Sequence, residues 1–373
     1  MTLPRVLLVS HTYAAPINRA KLDALAQHLF LDVVAPQRWR DALFDLPAQH
    51  AAPANYSLHR LPVAFDGHIL RYLYSFRALS RIVREARPAL VYVEEEPASL
   101  VLGQLAALKQ RYRYKLVFFT WENIARRVGL PGVERYNLQQ ADGAIAGNVE
   151  AGQVLRRKGF RGPLRVTPQL GVTPGQFRPR RATELRRALG LNGFVVGYVG
   201  RLVEAKGLWT LLEAVRDLPD VRLLLVGAGP LQAALDRRIK QDHRLRERSC
   251  RVNAVPHEEI VRYLNTLDVL VLPSQTTPTW KEQFGHVLIE AMACAVPVIG
   301  SNSGAIPEVI AEAGLIFPEG DAKALRDAIY SLQANPSRRE HLAQVGRERV
   351  LGHYTHERIA TANAEFFRQV LAA

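Results

Sequence analysis

Residues 194–207 read FVVGYVGRLVEAKG: an uncharged apolar run from Phe194 to Val199, a Gly200-Arg201 turn, and Lys206-Gly207 ahead of the next helical pattern. A short apolar run bounded by turn formers is expected for a strand buried on both faces, as in parallel sheets covered by helices. A glycine turn leading into a helix places that helix's free N–H groups at the carboxyl end of the strand, where open parallel sheets bind ligands.

The same pattern extends in both directions. Downstream, strands are expected at Arg222–Gly229 (RLLLVGAG), Val269–Pro273, Pro297–Ser301 and Gly314–Phe317, with helices between them. Upstream, a separate series is expected at Arg5–Ser10, Leu31–Ala35, Leu90–Glu94, Leu116–Thr120, Gly143–Gly147 and Leu164–Thr167, with a helix over Ala20–Phe30. Strands alternating with helices in two series predict two doubly wound α/β domains. Turn formers concentrate in Thr167–Pro179 (TPQLGVTPGQFRP), which places the boundary at 170/171. The expected domains are 1–170, 171–352 and a C-terminal amphipathic helix over 353–373 that can pack on either domain.

Composition bounds the chemistry. The 373 residues are 48% hydrophobic and 23% charged, which excludes a disordered or fibrous chain. Met1–Ser10 lacks the apolar core of a secretory signal, and no apolar run approaches the roughly 18 residues that cross a bilayer, so a cytoplasmic setting without export is expected. Cys250 and Cys294 support neither a disulfide framework nor a thiolate metal site. The net charge is +14, and residues 1–170 carry 23 basic against 13 acidic side chains. Basic clusters at Lys109–Lys115 and Arg156–Arg187 suit a polyanion: nucleic acid, anionic lipid headgroups or phosphorylated small molecules. A solvated basic face is the plainer alternative.

Three segments of the second half carry the ligand chemistry. Arg201 can grip a diphosphate bidentately, with Lys206 as a nearby point charge. The turn Val226-Gly227-Ala228-Gly229-Pro230 lacks the full dinucleotide pattern, so ordinary strand-to-helix turn chemistry explains it more simply. In Glu282-Gln283-Phe284-Gly285-His286-Val287-Leu288-Ile289-Glu290, two carboxylates eight residues apart flank a glycine at which a helix starts. Gly285 permits close backbone approach, and Glu290 can hydrogen-bond a diol such as a ribose. In the first half, Glu94-Glu95-Glu96 invites a metal reading. Consecutive residues on a strand point in alternating directions, however, so no metal is expected there. His257, His341, His353 and His356 read as surface residues.

The order of GRLVEAKG, VGAGP, HEEIVRYLNTLDVLVLPS and EQFGHVLIEAMACAVPVIGSNSGAIPEVI closely resembles the retaining glycosyltransferases of family 4. That resemblance implies the GT-B fold, two doubly wound Rossmann-like domains facing a central cleft, with acceptor binding in the first domain and nucleotide-sugar binding in the second. It implies Arg201 and Lys206 as the diphosphate clamp and Glu290 as the ribose ligand. Gly200, Glu282 and Phe284, Gly285, His286 and Val287 would then meet the donor. In the first domain, Glu95 and Glu122 stand where many members have His, beside Asn18 and Asn123. Glu122 becomes a candidate proton acceptor, and Asn18, Glu95 and Asn123 candidate acceptor contacts.

The function implied is metal-independent, cofactor-free transfer of a hexosyl group from a UDP- or GDP-sugar to a hydroxyl of a lipid-linked or cell-surface glycan, with retention. An anionic inner membrane face is a further candidate partner. A non-catalytic sugar-nucleotide binder is the alternative, and a basic nucleic-acid-binding protein a weaker one, because the phosphate-type motifs sit in the less basic half.

Overall fold

Parallel pairing organises both halves of the chain. The computed structural model describes residues 3–40, 45–47, 55–126 and 128–373. Two compact units result, Met1–Gly171 with His356–Ala373, and Val172–Thr355.

In the first unit the strands of the main sheet are β1 (Arg5–Val9), β2 (Phe30–Pro36), β3 (Ser57–Leu61), β4 (Leu90–Val93), β5 (Lys115–Thr120), β6 (Gly143–Ala146) and β7 (Leu164–Val166). They lie in the order β7-β6-β5-β4-β1-β2-β3, all parallel. Val9 pairs with Val34 on one side and Val93 on the other, so the loops that begin at Ser10 and Glu94 leave the sheet side by side. Helices Phe76–Ala86 and Leu100–Tyr112 cover one face, burying Leu79, Ile82, Val83, Leu102 and Leu105. The expected helix over Ala20–Phe30 is shorter, Ala20–Leu25, because the chain enters β2 at Phe30 and needs the intervening residues to turn.

The last helix, His356–Ala372, belongs to this first unit. Its Ala360, Ala364, Phe366, Phe367 and Val370 join the core on the face that also holds Leu22, Leu25 and Tyr92, and Phe367 lies 5.0 Å from the Tyr92 ring. Burying each such large apolar side chain contributes about 1.5–3 kcal/mol.

The second unit repeats the scheme with β8 (Phe194–Val199), β9 (Val221–Val226), β10 (Ser249–Val252), β11 (Val269–Leu272), β12 (Val298–Ser301) and β13 (Gly314–Phe317). Their order is β10-β9-β8-β11-β12-β13, again parallel throughout. Each sheet therefore winds outward from its first strand in both directions. The switch points fall between β1 and β4 and between β8 and β11, which is where such sheets open a crevice for ligands.

Candidate functional site

The loops at the second switch point are built on glycine. A Cβ on Gly207 would lie 1.9 Å from the Pro273 carbonyl oxygen, so only glycine lets the helix Leu208–Arg216 start against the end of β11. The Gly227-Ala228-Gly229 turn packs on the Gly200–Leu202 backbone: a Cβ on Gly227 would meet the Gly200 oxygen at 1.9 Å, and Leu202 N–H donates to Ala228 O at 2.9 Å. Its glycines thus shape the neighbouring loop.

Lys206 ends a short turn, Glu204–Lys206, and its ammonium meets Glu282 Oε2 at 2.5 Å, while the Ser274 hydroxyl donates to the same oxygen at 2.7 Å. The Trp280 ring lies 4.9 Å from the ammonium. Arg201 is exposed and makes no ion pair among the described residues, its carbonyl accepting from the Tyr198 hydroxyl at 2.7 Å. The two cations therefore differ: Lys206 is largely neutralised by Glu282, and Arg201 offers an uncommitted charge.

Helix His286–Ala293 starts at Gly285, whose φ of 81° is open to glycine without strain. Within its first turn the Leu288 amide donates to Gly285 O at 2.8 Å. Phe284 is a core residue, its ring packed on His286 and Tyr354, so its backbone rather than its side chain borders the loop. Val287 and His286 are half-buried. Glu290 is buried one helical turn deeper, and its Oε1 lies 2.7 Å from His257 Nε2. Burial alone would lower the His257 pKa; the hydrogen bond and charge of Glu290, helped by Glu258, outweigh it and raise the pKa above its ordinary value.

At the first switch point the acidic run lies beyond the strand, since β4 ends at Val93, and this corrects the alternating-strand reading of Glu94–Glu96. Three separate sets of partners take the carboxylates. Glu94 holds the fully buried Lys21 ammonium, the Tyr13 hydroxyl at 2.7 Å and Gln169 Nε2 at 3.2 Å. Glu95 accepts from the His11 amide at 2.9 Å and the Tyr72 hydroxyl at 2.6 Å, with His11 Nδ1 2.7 Å away. Glu96 accepts from the Thr120 hydroxyl and, at 2.9 Å, from the Trp121 amide; burial pushes its pKa up to about 7.

Glu122 forms a 2.6 Å ion pair with Lys158, which also binds Glu134 at 2.5 Å. Asn18 donates to Thr12 O at 3.0 Å in the loop after β1, and Asn123 is buried after β5. Asn18, Glu95, Glu122 and Asn123 thus lie in loops leaving the carboxyl ends of β1, β4 and β5. Of the partners that define both sites, Ser274, Trp280 and Tyr72 carried no sequence signal; Lys158 was read only as part of a basic cluster and His257 only as a surface residue. The signal for His257 would have been its place after β10, a strand the sequence did not mark.

One further expectation needs correcting. His356 is buried, lying 3.4 Å from the Gly171 amide at the return of the chain to the first unit. Within the basic clusters Lys109 and Lys115 pair with Asp142, Lys158 with two glutamates, and Arg156 donates to the Phe160 and Gly162 carbonyls, while Arg111, Arg113, Arg157, Arg161 and Arg187 are exposed. A cavity of about 430 Å³ opens at Arg5, Phe30 and Ser57, the amino ends of β1–β3, away from the switch point.

Residues 182–349 match the model of the family described as glycosyl transferases group 1. The second unit is a glycosyl transferases group 1 domain. Among curated relatives, the capsular polysaccharide biosynthesis glycosyltransferase CapM of Staphylococcus aureus is 34% identical over 166 residues, 43% of this chain and 42% of that protein. Alpha-maltose-1-phosphate synthase of Mycolicibacterium smegmatis is 32% identical over 263 residues, 64% of this chain and 66% of its own length. The chain thus spans less than two thirds of these relatives. Across nearly the whole chain, sucrose-phosphate synthase from Thermosynechococcus elongatus superposes with a TM-score of 0.75 at 26% identity, covering 98% of this chain and 99% of that one. The fold is GT-B, as the motif order implied.

Proposed function

We propose that the chain is a retaining, metal-independent family 4 glycosyltransferase that moves a hexosyl group from a UDP- or GDP-sugar to a hydroxyl of a lipid-linked or cell-surface glycan. The observation that carries this reading is the Arg201 and Lys206-Glu282-Ser274 cluster at the carboxyl ends of β8 and β11. Departure of the nucleoside diphosphate builds negative charge on its terminal phosphate. Arg201, Lys206 and the first amides of helix His286–Ala293 are preorganised donors for that charge, so a metal ion has no task left to perform. Glu282 holds Lys206 in place while keeping one oxygen's partners fixed, and the backbone from Phe284 to Val287 lines the sugar. No protein nucleophile is invoked; the acceptor hydroxyl attacks the face from which the leaving group departs, the bond from the anomeric carbon to the diphosphate oxygen breaks, and that oxygen takes the hydroxyl proton.

In the first unit, Glu95 and Asn123 border the acceptor and Asn18 shapes the loop beside it. Glu122 is assigned to acceptor binding, since its carboxylate is already engaged by the Lys158 ammonium. The name of CapM, a capsular polysaccharide biosynthesis glycosyltransferase, supports a glycan acceptor.

An anionic membrane face fits the same reading. On helix Phe76–Ala86, Arg77, Arg81 and Arg84 form an exposed stripe at helical spacing, next to exposed Phe65, Ile69, Arg71 and Phe76. Among the described residues no helix is long and apolar enough to cross a membrane.

A thermal-shift screen of UDP-, GDP- and ADP-sugars tests the donor assignment, since a ligand that binds only the folded state raises the melting temperature. The proposal expects one class to stabilise the protein and to be consumed in transfer. No shift with any of them would overturn it, and stabilisation without transfer or hydrolysis would favour a non-catalytic binder.

A further inference from the structure

We propose that His257 positions Glu290 to recognise the ribose diol of the donor, so that the pair, and not the carboxylate alone, distinguishes ribonucleotides from 2′-deoxyribonucleotides. This rests on the donor reading above and deepens it.

Glu290 sits in a helix whose neighbouring residues, Leu288, Ile289, Ala291, Met292 and Ala293, are all buried. A carboxylate in that setting is costly unless a partner holds it. Among the described residues His257 is the hydrogen-bond partner of its side chain, through Oε1, and Oε2 is left without one. A carboxylate with one oxygen tethered presents the other in a fixed direction, as recognition of a single hydroxyl pair requires.

His257 is itself held in place. It opens helix His257–Leu264 directly after Pro256, and its ring meets the buried Phe177 ring edge-on at 5.5 Å. The far end of that helix is tied to the segment carrying Phe177: Asn265 accepts from the Arg180 amide at 2.6 Å and donates to the Arg178 carbonyl at 3.2 Å. The imidazole is nonetheless 42% exposed, so it borders the loops rather than the core. It follows the loop after β10, a third carboxyl end converging on the crevice beside β8 and β11. The raised proton affinity of the ring agrees with a lasting ion pair.

The test compares UDP, GDP and ADP with their 2′-deoxy counterparts by calorimetry on the full chain. For whichever base binds, wild type should prefer the ribonucleotide by at least about tenfold, because a buried acceptor left unpaired by a missing hydroxyl is penalised. His257→Ala should weaken the ribonucleotide about tenfold and bring the ribo-to-deoxy ratio close to one. His257→Gln, which returns an N–H near the Nε2 position, should restore much of the ratio. His257→Phe fills the space against Phe177 without a donor and gives the same reading should the alanine variant not fold. Retention of the wild-type ratio in His257→Ala or His257→Phe overturns this inference and leaves the donor assignment standing. Failure of wild type to bind any of the ribonucleotides overturns both.

Discussion

Replacing Lys206 by Met separates the charge of this side chain from its packing, since the methionine retains the apolar stem beside Trp280 and removes the ammonium from Glu282. The Lys206 and Glu282 side chains are 14% and 8% exposed, so the substitution strands a carboxylate mostly out of water. Breaking such a pair from one side costs about 3–5 kcal/mol. Because the Ser274 hydroxyl still donates to Glu282, the lower end, about 3 kcal/mol, is expected. Glu282→Gln in the Lys206→Met background removes the stranded charge and should recover most of that loss, giving a coupling energy of about 2 kcal/mol in the double-mutant cycle. Urea unfolding followed by fluorescence reads this out, since Trp209 and Trp280 both lie in the second unit. Transfer by Lys206→Met should fall at least about a hundredfold, the usual effect of losing a preorganised charge at a leaving group. A stability loss under about 1 kcal/mol, or single-mutant effects that simply add, would refute the buried-pair reasoning.

Gly207→Ala should lower the melting temperature and abolish donor binding together, because its Cβ would collide with the Pro273 carbonyl at a φ of 64°; an unperturbed melt would contradict the close approach. Glu96 has a folded pKa raised by burial to about 7, above its unfolded value near 4.5, so the fold binds the extra proton between those values. Its contribution is fully present below pH 4.5 and is lost as pH rises through 7. Glu96→Gln should therefore flatten the stability-versus-pH curve over that window in thermal melts; an unchanged slope would assign the dependence elsewhere. Arg77→Glu with Arg81→Glu should sharply reduce co-sedimentation with vesicles rich in anionic lipid, each basic residue near such a surface contributing about 1 kcal/mol. Equal binding of neutral vesicles, or no effect of the substitutions, would remove the helix from membrane docking.

Strands whose every residue is buried were legible from composition alone. Phe194–Val199 and Leu90–Val93 are uncharged and apolar throughout, and both lie near the middle of their sheets. Ser57–Leu61 and Ser249–Val252 escaped the same reading. Each is the outermost strand of its sheet and half-buried, with His59 and Arg60 or Arg251 interrupting the apolar run. Pairing with β2 and β9, not local propensity, makes them strands.

The loss of Ser249–Val252 had a second effect, because without β10 nothing marked His257 as standing at the carboxyl end of a strand. Loop positions such as Gly200, Arg201, Lys206 and Gly285 could be read because turn formers punctuate the sequence beside them. The Lys206-Glu282 and Lys158-Glu122 pairs could not, since they join residues 76 and 36 positions apart and only the fold brings them together.

The return of the final helix to the first unit bears on the order in which the chain acquires structure during synthesis. Val172–Thr355 is one unbroken stretch, and it has every strand of its sheet once Thr355 has emerged from the ribosome. The first unit, although the seven strands of its main sheet are made earlier, must wait with the surface that Phe366, Phe367 and Val370 will cover still open to water. A nascent chain therefore holds an unfinished amino-terminal half beside a carboxyl-terminal unit that can already close, and a premature stop near residue 355 would strike the stability of the half that was translated first.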